Sequence, residues 1–526
     1  MATPPPRDKL SDDNDLFSPL PKIDKSPENM DDEIQKVLGE FEWLDELAPS
    51  FDVDGEKIDV LYEPKEFYNE LIALIGKSRK RIILASLYLG IGELEQGLIS
   101  SIESILEKSE SNGNVCVHIL LDYSRGTRGD KNSCTMVSPL KSRFHDRVNI
   151  ALFHTPLLRG ILKNVLPGRW NEVVGVQHMK LYIFDDTVVI SGANLSHDYF
   201  TNRQDRYVVI RDCPELAQFY WAIVEAVSSC SFQLGPSGQL HLNPLCHYHP
   251  FTGDKDLYCD MMKRRIESVS ERWRHRGRER SGLDTRVYAL LQMGPIGVHT
   301  EDVVTRRVLI APTNVDGAEG DGRWASSDRL LQSPVDESIL TDRTDQTQRI
   351  DLASGYFNLT NEYSDLILRK SLLKYRILMA SPKANGFFNG SGISGYIPCV
   401  YVYVSRLFYE TMNRLGQDNR IELMEYFKAG WTFHAKGVWL TMSAREDRPS
   451  VTLIGSTNYG YRSLHRDLES QLVIVTENAR LKQHLKLERD RLFNHAVPID
   501  AATFKRQDHL VPYWVRLVAR FWRNFF

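Results

Sequence analysis

Two stretches far apart in the chain carry side chains suited to phosphoryl chemistry. The first, residues 175–194 (GVQHMKLYIFDDTVVISGAN), sets His178, Lys180 and Asp185 in the order H-x-K-x-x-x-x-D before a Ser-Gly-x-Asn turn ending at Asn194. The second begins 256 residues later with His434 and Lys436, followed by Gly455-Ser456-Thr457-Asn458. Eleven residues after each asparagine stands an acid, Asp205 and Glu469. A neutral imidazole can attack phosphorus and an imidazolium can protonate a leaving oxygen; histidine does both near neutral pH. The lysines and asparagines supply donors to non-bridging oxygens as charge shifts in the transition state. A carboxylate behind each ring would select its tautomer and favour its protonated form. The duplicated set therefore reads as two half-sites of one active centre. Its candidate catalytic residues are His178, Lys180, Asp185, Asn194, Asp205, His434, Lys436, Asn458 and Glu469. The copies are unequal: Thr441 occupies the second Asp position, and His434 to Asn458 spans 24 residues against 16 from His178 to Asn194.

Alternation in His-x-Lys-x-Tyr places His178, Lys180 and Tyr182 on one face of a strand. The flanking sequence has a β-α-β-α-β rhythm: a strand at 58–62, a helix at 66–80, an apolar strand at 81–90, a helix at 93–108 and a strand at 115–124. It recurs. RIDLASGYFNLT at 349–360 mirrors RIILASLYLGIG at 81–92, with Leu-Ala-Ser-x-Tyr repeated 268 residues apart, so Tyr88 and Tyr356 are counterparts. An internal repeat decides the architecture. The expected fold is α/β, two similar α/β/α halves with mixed sheets and one active site at their interface. The halves fall at 51–235, with its motif at 172–198, and 346–500, with its motif at 428–461. Residues 236–345 form a connection holding a basic run (263–280, with one Trp) and a polar surface insertion (314–348).

At 526 residues, with 42% apolar and 25% charged side chains, the chain is long enough for several cores and ordinary for a globular protein. A net charge of −4 argues against generalised nucleic-acid binding. Seven scattered cysteines without a CxxC argue against a disulfide framework. Residues 1–50 carry 13 acidic and 5 basic side chains, unlike an organelle presequence. They read as mostly disordered, except for an amphipathic helix at 31–47. No apolar run is long enough to span a bilayer. At 501–526, Trp514, Leu517, Val518, Phe521 and Phe525 share one helical face and Arg516, Arg520 and Arg523 another, as in a helix lying on a membrane surface or packed on its own domain.

The paired motifs resemble the phospholipase D superfamily. Within it, ASLYLGIGELEQ, LLDYSRGTRG, the stretch 175–207, HAKGVWL and LIGSTNYGYRSLHRDLESQ are similar to the eukaryotic phosphatidylglycerophosphate synthases, from about residue 51 to the C-terminus. The resemblance implies transfer of a phosphatidyl group from CDP-diacylglycerol to glycerol 3-phosphate through a phosphatidyl-histidine, with His178 as nucleophile and His434 as general acid/base. It also implies that the motif Asp is structural, that no cofactor is needed beyond a divalent cation arriving with the pyrophosphate, and that the enzyme is peripheral on the mitochondrial inner membrane. Arg125, Arg128, Tyr88, Tyr356, Arg462 and Arg466 are the candidate substrate-binding residues, the arginines for bidentate contact to phosphate. The same histidines would serve a phospholipase, a phosphatidylserine or cardiolipin synthase, or a nuclease. A non-catalytic membrane scaffold would keep a degenerate site.

Overall fold

Short apolar runs buried on both faces become the central strands. Arg81–Ala85, Cys116–Asp122 and Val148–Phe153 pair in parallel. Leu181–Phe184, Thr187–Ser191, Tyr207–Ile210 and Ile58–Leu61 extend the sheet antiparallel from Arg81–Ala85, and Phe232–Leu234 and Leu240–Leu242 close its other edge. A computed structural model describes residues 37–109, 115–160, 163, 174–274, 282–310, 348–390, 392–443 and 446–522.

The second sheet repeats this order. Arg349–Ser354, Lys374–Ala380 and Ile421–Tyr426 are parallel; Lys436–Thr441, Val451–Gly455, Leu468–Thr476 and Thr285–Met293 follow antiparallel. Thr285–Met293 thus fills the place that Ile58–Leu61 fills in the first sheet. The second repeat begins at Thr285, inside the stretch expected to be a connection. That strand is buried along its whole length, yet in sequence it sits between a basic run and a polar one, which hid it. The surface insertion at 314–348 lies outside the described residues except Gln348. Ser50–Val53 also crosses over, pairing antiparallel with Thr285–Met293 at the edge of the second sheet.

Helices cover the sheets where sequence signals place them. Pro64–Lys77 starts with a proline in its first turn and a capping box between Glu63 and Glu66, and ends on a lysine. Glu93–Lys108 buries Leu98, Ile99, Ile102, Ile105 and Leu106 at helical spacing. The basic run as far as Arg274 lies on helix Lys255–Arg274, whose Tyr258, Met262, Ile266 and Trp273 are buried, and its residues 275–280 lie outside the described residues. Trp273 packs on Phe51 and Phe219 at 5.9 and 6.4 Å, so the one Trp of that run is a core residue. Of the N-terminal helix, residues 37–40 are helical, and Phe41 and Leu44 are buried in the second half's core.

The halves are joined by one apolar cluster that takes side chains from both sheets, among them Ile83, Ile183 and Val208 from the first and Trp439, Ile454 and Leu472 from the second. Arg206 pins that contact. Fully buried, it donates through Nε and Nη2 to Glu488 at 2.9 and 2.8 Å, to the Leu453 carbonyl at 2.8 Å and to Thr452 at 2.8 Å, and lies over Trp439 at 3.8 Å. Every one of these partners belongs to the other half. Removing one member of a buried pair strands the other charge. Arg206→Ala is expected to cost about 3–5 kcal/mol in chemical denaturation; a loss of under about 1 kcal/mol would contradict the role given to this contact.

Candidate active site

Both histidines sit just before antiparallel strands, Leu181–Phe184 and Lys436–Thr441. Those strands start at the carboxyl ends of the parallel strands, where α/β sheets gather ligands. Each histidine is docked onto the opposite half through its backbone. His178 N donates to the Leu468 carbonyl at 2.9 Å, and Leu468 N returns the bond to Val176 at 2.9 Å. His434 N donates to the Gln204 carbonyl at 2.8 Å, within a parallel ladder of Arg203–Gln204 on Thr432–Phe433. The residue after each docking point is an acid, so the carboxylates cross over. His178 Nδ1 lies 2.9 Å from both oxygens of Glu469, and His434 Nδ1 lies 2.6 Å from Asp205 Oδ2. The equal 11-residue spacings mark the acids; only the fold shows that each serves the other half's ring.

The lysines differ. Lys180 Nζ donates to the His178 carbonyl at 2.6 Å. Lys436 Nζ approaches the His434 ring itself, 2.6 Å from Nδ1, and lies 3.5 Å from Asp205. The site is enclosed, with His178 and His434 only 5% and 4% exposed. Burial, and then the nearest lysine, holds each imidazole well below its ordinary pKa, and burial likewise lowers Lys180 and Lys436. Burial raises Asp205 and Glu469, opposed by Lys436 and Lys180 respectively. Burial therefore opposes the expectation that the carboxylates would favour protonated rings: both imidazoles lie below their ordinary pKa.

His434 is also framed by two phenols. Tyr199 and Tyr356 stand edge-on to it at 5.1 and 5.3 Å. Tyr199 Oη is 3.2 Å from His434 Nε2 and accepts from Asn194 Nδ2 at 3.2 Å, so Asn194 reaches the ring through the tyrosine. Tyr88, the counterpart of Tyr356, is held by Ser196 at 3.0 Å and lies under Arg125 at 4.2 Å. The Arg125 backbone amide caps onto Asp122, and Arg128 is half-buried in the same loop.

Cations flank both rings. Arg462 pairs with Asp467 at 2.9 Å, and both act electrostatically on His178. Arg203, which sequence reasoning missed, pairs with Asp198 at 3.0 Å, lies over Tyr199 at 4.8 Å and acts on His434. Counting from Asn194 and Asn458, Asp198 corresponds to Arg462 and Arg203 to Asp467. The same ion pair is built in both halves with its charges exchanged, a signal present in the sequence to a gapless alignment of the turns. Arg466 lies apart, over Tyr461 at 5.5 Å.

Asp185 does not join the histidines. In a left-handed turn (φ 51°), its carboxylate accepts from the backbone amides of Arg79, Lys80 and Arg81 at 2.7–3.0 Å, fixing the start of strand Arg81–Ala85. Its counterpart Thr441 accepts from Arg489 at 3.4 Å. Asn458 Oδ1 is buried without a hydrogen-bond partner among the described residues. His178, Asp467 and Glu469 bring ligand atoms within 4.8 Å of one another. Asp467 is already held by Val176 N at 3.0 Å and Arg462, and Glu469 by the imidazole, so a metal ion there would compete with partners that the chain itself supplies.

The sheet order and the crossed histidine–carboxylate pairs define the phospholipase D-like class. Phosphatidylserine synthase of Haemophilus influenzae shares the fold, with a TM-score of 0.63 at 18% identity, over 93% of this chain and 97% of that one. No known family profile matches the sequence. The mitochondrial CDP-diacylglycerol–glycerol-3-phosphate 3-phosphatidyltransferase of Gallus gallus is 41% identical over 541 aligned residues, covering 97% of this chain and 90% of its own. The human enzyme of that name is 40% identical over 92% of this chain and 86% of its own, and that of Saccharomyces pastorianus 31% over 87% and 86%. The chain belongs to this family of 3-phosphatidyltransferases and is an enzyme.

Asp185→Ala is expected to destabilise the fold by about 1–3 kcal/mol, since three backbone donors lose their acceptor. The turnover of the folded fraction should stay within a few-fold of wild type. A loss of turnover as large as that of Asp205→Ala would place Asp185 in the chemistry instead.

Proposed function

We propose that this enzyme transfers the phosphatidyl group of CDP-diacylglycerol to sn-glycerol 3-phosphate, yielding phosphatidylglycerophosphate and CMP, through a phosphatidyl-histidine on His178. The observation that carries the assignment is the unequal use of the two Nε2 atoms. Glu469 accepts a hydrogen bond from Nδ1–H of His178, and among the described residues Nε2 of His178 has no hydrogen-bond partner, leaving a lone pair for attack. Nε2 of His434 is engaged by Tyr199, and its Nδ1 lies in a triangle with Asp205 and Lys436. Protons shared across such a triangle respond to charge arriving at the site, which suits an acid/base.

In the first step His178 Nε2 attacks the phosphatidyl phosphorus, and the bond to the CMP oxygen breaks as His434, protonated from its Lys436–Asp205 triangle when the substrate's negative charge arrives, delivers that proton to it. In the second, His434 takes the proton of a glycerol 3-phosphate hydroxyl. Its oxygen attacks phosphorus, and the P–N bond breaks to restore His178. Lys180, Lys436, Arg203 and Arg462 supply positive charge to the phosphates. A divalent cation would enter with the pyrophosphate rather than on a site of the chain. The relatives are named mitochondrial, and no described helix is long and apolar enough to cross a membrane. With a lipid substrate, these features support peripheral attachment to the inner membrane.

CDP-diacylglycerol supplied with glycerol 3-phosphate, serine or water, with CMP and lipid products followed, tests the reaction; turnover with serine or water alone would replace it by a rival activity. His178→Ala and His434→Ala should each lower transfer at least about 10³-fold. Label trapped from the phosphatidyl donor should map to His178; label on His434 would reverse the roles. Because both folded-state imidazoles lie below the usual ~6.5, the nucleophile stays neutral as pH falls through that value. The burst of CMP should persist below pH ~6.5, and a midpoint at or above it would contradict the neutral resting ring.

A further inference from the structure

The C-terminal helix, Tyr513–Trp522, turns only part of itself to the body. Val515 and Ala519 are buried, with Val511 just before the helix, where it packs on helix Ile397–Arg414. Trp514, Leu517 and Val518 remain 38–47% exposed on another face. Sequence reasoning had offered docking and membrane contact as alternatives, and the helix is built for both. Of Phe521 only the backbone is described, and Arg523 and Phe525 lie outside the described residues.

The exposed apolar face continues into the body along a traceable line. Trp514 meets Tyr396 edge-on at 4.7 Å. Tyr396 ends the short helix Gly392–Tyr396, whose Gly395 presses on the Gly390 carbonyl so closely that an added Cβ would lie 2.5 Å from it. Gly390 N in turn bonds to the Phe387 carbonyl, and Phe387 and Phe388 are 37% and 43% exposed. Phe387 packs on Tyr356 at 5.7 Å, and Tyr356 stands against His434. Two groups of half-exposed aromatics, Trp514 with Tyr396 and Phe387 with Tyr356, are therefore joined through the close Gly390–Gly395 backbone contact and lead from the helix to the reaction centre. Arg516 and Arg520 are exposed on the same helix, beside its apolar face.

We propose that Phe388, Tyr396, Trp514, Leu517 and Val518 form the surface on which the protein rests at the headgroup boundary of an anionic bilayer, and that a lipid reaches His434 along Phe387 and Tyr356 without leaving that boundary. The occupant is a bilayer because the proposed substrate is a diacyl lipid, and to that extent the inference rests on the function proposed above. Aromatics settle at the polar–apolar boundary, and exposed arginines beside them meet anionic headgroups. The apolar chains of the substrate need never cross water, which opposes their extraction in proportion to their exposed apolar area.

The test is co-sedimentation of the full chain with phosphatidylcholine vesicles, with or without phosphatidylglycerol, free of CDP-diacylglycerol. Wild type should bind the anionic vesicles, more weakly at high salt. The triple variant Trp514→Ser/Leu517→Ser/Val518→Ser should lose about tenfold or more in partitioning, and Phe388→Ser should weaken it independently. The triple variant should keep wild-type melting and wild-type turnover of detergent-dispersed CDP-diacylglycerol, while losing turnover on vesicles. Equal partitioning of variant and wild type would overturn the proposal. So would a self-association that the triple variant abolishes while vesicle binding stays intact, since the face would then belong to a second copy. Wild type that binds vesicles as described yet releases no CMP would leave the surface standing and remove the proposed reaction.

Discussion

Each of the two motif imidazoles is held by a carboxylate from the opposite half, and the rest of the molecule serves that exchange. A buried carboxylate left alone is costly, and so is a buried imidazole with an unmet Nδ1–H. Glu469 and Asp205 satisfy the rings only when the halves are docked to within hydrogen-bond precision. Folding of one half therefore cannot produce half an active site. The backbone bonds at Leu468 and Gln204, the ladder of Arg203–Gln204 on Thr432–Phe433 and the buried Arg206–Glu488 pair all act on the same interface.

Near-symmetry would leave two interchangeable histidines, and a two-step transfer needs them to differ. The differences lie one layer out from the rings. Tyr199 touches His434 Nε2, whereas its counterpart by spacing, Ser463, accepts from the Asn458 amide. Lys436 leans on its ring and Lys180 on a carbonyl. The Asp198–Arg203 pair recurs as Arg462–Asp467 with its signs exchanged. A duplicated site has in this way acquired a direction without moving either histidine from its strand.

Enclosure shapes the chemistry as much as the charges do. Burial drives both imidazoles toward neutrality, which suits the roles proposed for them, a free Nε2 on His178 and a ring on His434 that draws its proton from Lys436 and Asp205. It also means that a diacyl substrate needs a route to a centre with almost no open surface. The aromatics from Tyr356 and Phe387 outward to Tyr396 and Trp514 are the route proposed for it.

Much of this was legible in the sequence because local patterns carry it. The H-x-K alternation, the Asn-to-acid spacing of 11 and the Leu-Ala-Ser-x-Tyr repeat gave the α/β class, the duplication and nearly every polar group at the centre. The helices at 64–77 and 93–108 followed from capping and periodicity. What escaped was non-local. Thr285–Met293 is a central strand only because the second sheet has a vacancy beside Leu468–Thr476. Asp185 shares the motif but turns its carboxylate to the amides of 79–81, a contact that no spacing encodes. Arg203 becomes a site residue through Tyr199 and Thr432, the latter far along the chain. The sequence by itself determined which side chains are candidates for the chemistry, since residue type and strand alternation are local. The tertiary structure alone decided which acid serves which histidine, because that depends on how two separately wound sheets meet.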